Sequence, residues 1–396
     1  MLTNIFSAAK LQLYFYFTHQ TLKTDQSSGV FMLSLPIKFF LPILFIFFSF
    51  AFAAQAQTPT PSPDEETEKI FTEEIKLNVF ATDNSGKFAS DVKKDDLVIT
   101  EDGRLHQASS IKRVPANVLI VLDTGGEMRQ VKGFKQTIDT AKSLISSLQS
   151  EDSVAIIQYN DKVEIVAEWT NKQEALALLK SKANFGRRSV FLNALETATK
   201  FLQKTPLDNR HLVLITDGTD SFNKLSERDA VMKNLLSTDI NVHIISYTLL
   251  ERADIEPRTK GIPTTPPPKA MPDEVAAQMP PGIIAMNRGS RILTINTDRA
   301  FLKKMRERKQ ELIDSEKYLS ALAKDTNGEI ILPESKQEML DKTALVAQII
   351  DSSYVITYTP KRPLVDSPAG EIRNIEVSSR RPNLQVQAHR KLIVKK

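Results

Sequence analysis

Between Asn117 and Pro333 short apolar runs alternate with helix-patterned segments, and this alternation restricts the fold more than any other feature of the sequence. Val118 to Leu122 is unbroken Val-Leu-Ile-Val-Leu, as a strand buried on both faces requires. Phe134 to Leu148 follows with the 3.6-residue spacing of an amphipathic helix. Val154 to Tyr159, Val163 to Ala167, His211 to Thr216 and Val242 to Tyr247 repeat the strand pattern, with helices expected at 172–182, 190–204 and 226–237 between them. The rhythm predicts an α/β fold: a doubly wound, mostly parallel, Rossmann-like sheet with helices on both faces. Ligands bind such sheets outside the carboxyl ends of the strands.

The pattern differs on either side. Glu74 to Phe80 alternates with period two, turns at Asn84-Ser-Gly86, and resumes at Asp96 to Thr100 before a second turn at Asp102-Gly103. A β unit this short cannot close a core unaided. Strand character returns in Tyr354 to Tyr358, Ile372 to Ser378 and Leu384 to Val394, so the two chain ends are expected to join in a β-sandwich. The domain plan is a β unit over 69–114, the α/β domain over 115–351 and C-terminal strands over 352–396. Within the α/β domain, residues 252–290 hold eight prolines between Pro257 and Pro281, which predicts an irregular insertion. Helical spacing resumes from Asp298 to Lys324 and stops at Asn327-Gly328, a helix C-cap signature. Glu329 to Leu332 reads as the last strand of the sheet and Lys336 to Ile350 as the last helix.

The first 56 residues read as a processing segment. Lys38, the apolar run Phe39 to Ala53 and the small-x-small triplet Ala54-Gln55-Ala56 form a secretory signal, with cleavage expected after Ala56 and Met32 as the expected start. A helix of that run would be roughly 22 Å long, short of the roughly 30 Å hydrocarbon core. Export with only transient membrane contact follows, to a periplasmic or extracellular location. Residues 57–68, rich in Pro and Thr, read as a tether. The chain has no cysteine, which excludes disulfides, thiolate metal sites and a lipid-modified cysteine. With 52 Lys+Arg against 48 Asp+Glu, the charge is too nearly balanced for a general nucleic-acid binder.

The residues that bear chemistry sit at strand ends. Asp123 follows the first apolar strand in Leu122-Asp-Thr-Gly-Gly-Glu-Met128, and Asp217 follows another in Ile215-Thr-Asp-Gly-Thr-Asp220. Two carboxylates on one sheet edge can converge on a hard divalent cation. Gly186-Arg-Arg-Ser189 opens a helix and offers a hydroxyl from Ser189. Asp220 reads as a turn or helix N-terminal residue, with partner contact as the sharper alternative. The basic residues Arg299, Lys303, Lys304, Arg306, Arg308 and Lys309 read as a solvated helix face, and His211 and His243 as packed strand residues. Ser189 has no spaced His and Asp partners, and no nucleophile elbow or phosphate-binding loop is present.

These residues resemble a von Willebrand factor type A domain. With its flanks, Ala81-Thr-Asp-Asn-Ser-Gly-Lys87, Asp95 to Gly103 and Tyr354-Val-Ile-Thr-Tyr-Thr-Pro360, the chain is similar to the acidobacterial family related to that domain. The resemblance implies a metal-ion-dependent adhesion site built on Asp-x-Ser-x-Ser, a Thr and a distant Asp. Asp123 and Asp217 match the two aspartates, and Ser189 replaces the Thr. Gly125 and Glu127 stand where the family has its two serines, so the implied site is degenerate. Two readings follow. In one, Asp123, Glu127, Ser189 and Asp217 hold Mg²⁺ or Mn²⁺. In the other, Arg187 or Arg188 pairs with the carboxylates and no cation is needed. Either makes the protein an exported, non-enzymatic interaction module whose face, including Gly125, Arg187, Arg188 and Asp220, meets a protein ligand. A carboxylate-metal hydrolase is the remaining alternative.

Overall fold

The computed structural model describes residues 73–126, 133–204, 206–222, 225–262, 278 and 295–395. The segments read as a signal and a tether, and Glu127, lie outside them. Four strands come first: β1 (Ile75–Asp83), β2 (Leu97–Glu101), β3 (Arg104–His106) and β4 (Ser110–Lys112). The alternating segment supplies β5 (Asn117–Asp123), α1 (Phe134–Ser147), β6 (Ser153–Tyr159), β7 (Val163–Thr170), α2 (Lys172–Lys182), α3 (Phe191–Lys204) and β8 (Arg210–Thr216). It continues with α4 (Leu225–Leu236), β9 (Asn241–Ser246), α5 (Thr248–Thr259), α6 (Arg299–Asp325), β10 (Ile330–Ile331) and α7 (Lys336–Asp351). The last strands are β11 (Ser353–Tyr358), β12 (Ile372–Ser379) and β13 (Leu384–Ile393).

The α/β segment forms a six-stranded sheet in the order β10-β9-β8-β5-β6-β7. Its pairings are parallel except that of β6 with β7. The central strand shows why an all-apolar run was required. Val118, Ile120 and Leu122 enter a core with Ile138, Leu144 and Ile145 of α1 and Met339 and Val346 of α7. Leu119 and Val121 point the other way, into a core with Phe191, Leu195 and Ala198 of α3 and Leu319 and Leu322 of α6. Each such side chain contributes about 1.5–3 kcal/mol by leaving water, so neither face tolerates a polar substitution.

The strands of the two chain ends do meet, as one seven-stranded antiparallel sheet in the order β3-β2-β12-β13-β1-β11-β4. The join is β1, whose residues Ile75 to Phe80 pair with β11 and Phe80 to Asp83 with β13. The expected sandwich is thus a single hydrogen-bonded sheet, with Leu77, Ile99, Ile356 and Ile375 drawn into one core. The opposite face of β1 is also covered. Asn78 donates to Asn209 Oδ1 at 2.8 Å, and Phe80 meets the His243 ring edge-on, so this sheet closes against the amino-terminal end of β8 and β9.

The insertion needs a correction. Residues 252–259, expected to be irregular, form most of α5, with Pro257 inside its last turn. Asp254 and Arg258 pair across one turn at 2.8 Å, and Ile255 packs with Met305 and Leu312 of α6. Apolar burial against a second helix outweighs the one hydrogen bond a late proline removes. Residues 263–277 and 279–294 lie outside the described residues.

Candidate functional site

Asp123 ends β5, and Asp217 directly follows β8. The two strands are parallel neighbours, registered from Asn117↔Arg210 to Leu122↔Ile215. From β5 the chain moves outward through β6 and β7, then returns to β8 on the other side. The crevice at such a reversal is where doubly wound sheets bind ligands. Both carboxylates are fully buried there.

The sheet edge brings Asp123 and Ser189 together. The Ser189 hydroxyl lies 3.2 Å from each carboxylate oxygen of Asp123, and the Gly125 N–H donates to Oδ1 at 3.1 Å. Two loops are laced above them: Gly186 N–H donates to Thr124 O at 3.2 Å and Gly126 N–H to Arg187 O at 3.1 Å. The lacing explains Gly125. A Cβ there would lie 1.7 Å from the Arg188 carbonyl oxygen, so the backbone of 186–189 fills the space a serine would need. Gly126 sits at φ +130°, a region that favours glycine.

Asp217 meets different partners. Its Oδ1 accepts the backbone N–H and the hydroxyl of Thr219, both at 2.9 Å. Its Oδ2 accepts Arg308 Nη2 at 3.1 Å, and the same nitrogen reaches Glu251 Oε2 at 3.0 Å. The other guanidinium nitrogen donates to Thr219 Oγ1 at 3.0 Å and Glu311 Oε2 at 2.7 Å. The guanidinium that meets Asp217 is therefore that of Arg308, whereas the metal-free of the two sequence readings offered Arg187 or Arg188 for that role. Arg308 had also been placed on a solvated face, yet its side chain is only 18% exposed. The reason is its phase: Met305, Arg308, Leu312, Ser315 and Leu319 recur at spacings of three and four, one stripe of α6. That stripe is visible in the sequence, and Arg308 interrupts it. Glu251, buried on α5, carried no comparable signal.

The remaining expected residues divide. Asp220 Oδ2 accepts the Leu192 N–H at 3.0 Å and Oδ1 the Phe222 N–H at 2.9 Å, so it caps the first turn of α3 and shapes its own turn. Ser189 and Ser221 tie the two loops reciprocally, Ser189 N–H to Ser221 Oγ and Ser221 N–H to Ser189 O, both at 2.8 Å. Arg187 and Arg188 are exposed. Arg188 lies 5.3 Å from the ring centroid of Phe222. Phe222 is 49% exposed and Phe185, one residue before Gly186, 57%.

A hard divalent cation takes six or more oxygen ligands. The described residues do not fit one, since a guanidinium occupies Asp217 and a backbone carbonyl crowds the position where the resembling site has its first serine. Among the described residues, no group of three or more His, Asp or Glu side chains is placed to hold a metal ion.

Residues 118–219 match the family model of the von Willebrand factor type A domain. Curated proteins give no match. Among solved structures, a von Willebrand factor type A protein from Catenulispora acidiphila is 9% identical, with 82% of this chain and 74% of that one covered at TM-score 0.38. An aerotolerance-related membrane protein from Bacteroides fragilis is 19% identical, covering 60% and 98% at 0.34. The manganese-loaded TRAP protein of Plasmodium vivax is 14% identical, covering 44% and 61% at 0.29. The matched stretch runs from the central strand through Thr219, and so contains Asp123, Ser189 and Asp217. Arg308 and Glu251 lie beyond it, in the helical pair that follows β9. No helix among the described residues is long and apolar enough to cross a membrane.

Proposed function

We propose that this protein is an exported, non-enzymatic binding module that engages an acidic protein partner through the carboxyl edge of its type A domain, without a divalent cation. The observation that carries the reading is the rim: exposed Phe185 and Phe222 beside exposed Arg187 and Arg188, on loops tied by Ser189 and Ser221. Aromatic and arginine side chains are the usual anchors of protein interfaces, and paired guanidiniums favour carboxylates on the partner. Asp123, Ser189 and Asp217 hold that rim in place from beneath. Export rests on the signal segment ending at Ala56, so the mature protein is expected to begin at Gln57 in a periplasm or outside the cell.

Capture from envelope extract, with wild-type protein and a Phe222→Ala/Arg188→Ala variant, tests the proposal. The expected result is a partner retained in EDTA and lost with the variant; chelator-sensitive capture would contradict it. A panel of phosphate and carboxylate esters, assayed with Mg²⁺ and Mn²⁺, should show no turnover. Hydrolysis abolished by Asp123→Ala would make the protein an enzyme instead.

A further inference from the structure

We infer that Arg308 is a built-in replacement for the metal ion: its guanidinium supplies, from α6, the positive charge that keeps the acidic carboxyl edge folded and ready to bind. The inference rests on reading that edge as the working face. It begins with burial. The side chains of Asp217 and Glu251 are 0% and 4% exposed, and ionised carboxylates at that depth need a compensating cation or hydrogen-bond donors. Arg308 Nη2 touches both, at 3.1 and 3.0 Å.

The guanidinium is delivered by rigid packing. Ser315, two turns along the same stripe of α6, donates its hydroxyl to the backbone oxygen of Asp217. A Cβ on Gly218 would stand 2.6 Å from that Ser315 oxygen and 2.9 Å from Leu319, so the turn and the helix touch with no room for a side chain. On the far side, Ile255 with Met305 and Leu312 binds α5 to α6, and Arg252 pairs with Glu316 at 2.8 Å. The α5–α6 pair therefore holds Arg308 against Asp217 from both sides. Arginine stays charged at any ordinary pH and reaches two carboxylates at once, which a surface lysine would not do. Gly125 points the same way independently: the serine hydroxyl a cation would use is absent, and the Arg188 carbonyl occupies its space.

Thermal melts of purified wild type and Arg308→Gln, each in EDTA and in excess Mn²⁺, test this without any partner, so failure here is separable from failure of the binding proposal. The wild type is expected to melt at the same temperature in both buffers. The variant is expected to melt lower in EDTA and to regain at least roughly 2–4 °C in Mn²⁺, with saturable Mn²⁺ binding that Asp217→Asn removes. A folded variant whose loss Mn²⁺ does not relieve would make Arg308 an ordinary ion pair and overturn the inference. Should Arg308→Gln not fold, Mn²⁺ calorimetry on the wild type carries the test. Absence of saturable heat supports the inference, and saturable heat abolished by Asp123→Asn overturns it.

Discussion

The two ends of the parallel sheet bury polar groups by opposite means. At the carboxyl edge the groups are ionic, with Asp217 and Glu251 sharing one guanidinium. At the amino edge, where β1 closes on β8 and β9, they are neutral. Glu329 N–H donates to His243 Nδ1 at 3.3 Å, His243 and His211 meet at 3.1 Å, and His211 Nε2 meets Asn209 Oδ1 at 2.8 Å. The Glu329 amide can only donate, which fixes each ring as a neutral Nε2–H donor in a chain running one way. A neutral chain holds two sheets together and presents nothing to a partner. An ionic site stores charge that a ligand or metal can sense, which suits a working face.

Four experiments set these ends against each other. The largest effect belongs to Arg308→Gln, which removes the guanidinium shared by two buried carboxylates and should cost about 3–5 kcal/mol in urea unfolding; a loss under about 1 kcal/mol would show the ion pair to be loosely held. Next is acid sensitivity of the neutral chain. Burial lowers His243 to about 3 and pushes His211 well below the usual value, and because the two rings touch, a proton on either would repel one on the other. Unfolded histidines bind protons below about pH 6.5 while the folded pair does not. The pair therefore has no effect on stability above that pH. Between it and the folded values stability falls with pH, by up to roughly 1.4 kcal/mol per unit for each ring. A double His211→Asn/His243→Asn variant should flatten that slope, and an unchanged slope would assign it to other groups.

Restoring the serine of the resembling site by Gly125→Ser should destabilise by about 1–3 kcal/mol, because the Arg188 carbonyl must move. Unchanged stability, or Mg²⁺ binding gained by that change alone, would show the laced loops to be adaptable. The smallest effect is expected for Asp220→Ala, about 1 kcal/mol from the lost cap on α3, with partner capture intact. Lost capture at full stability would move Asp220 from the scaffold to the binding surface.

Much of the fold was legible because period carries it. Five apolar residues in a row required burial on both faces of β5, and the spacing of Phe134 to Leu148 required one buried helix stripe. The single curled sheet was less legible, since β1 alternates like a strand with one covered face while Asn78 and Phe80 on its other face are also buried. At the site, the strand-end positions of Asp123 and Asp217 and the helix-opening position of Ser189 were readable. The basic residues from Arg299 to Lys309 looked alike in composition, and only the phase set by Met305, Leu312 and Leu319 separates Arg308 from the rest.

The sequence by itself determined the alternation of strands and helices, the two acidic strand ends, and the glycine where the resembling site has serine. These are local properties, fixed by periodicity and by residue type. Tertiary structure alone decided which cation meets Asp217. Arg308 is 91 residues from Asp217, and the carbonyl that excludes a side chain at Gly125 belongs to another loop. Coulombic and steric partners act through space, so they become visible only when the chain has closed.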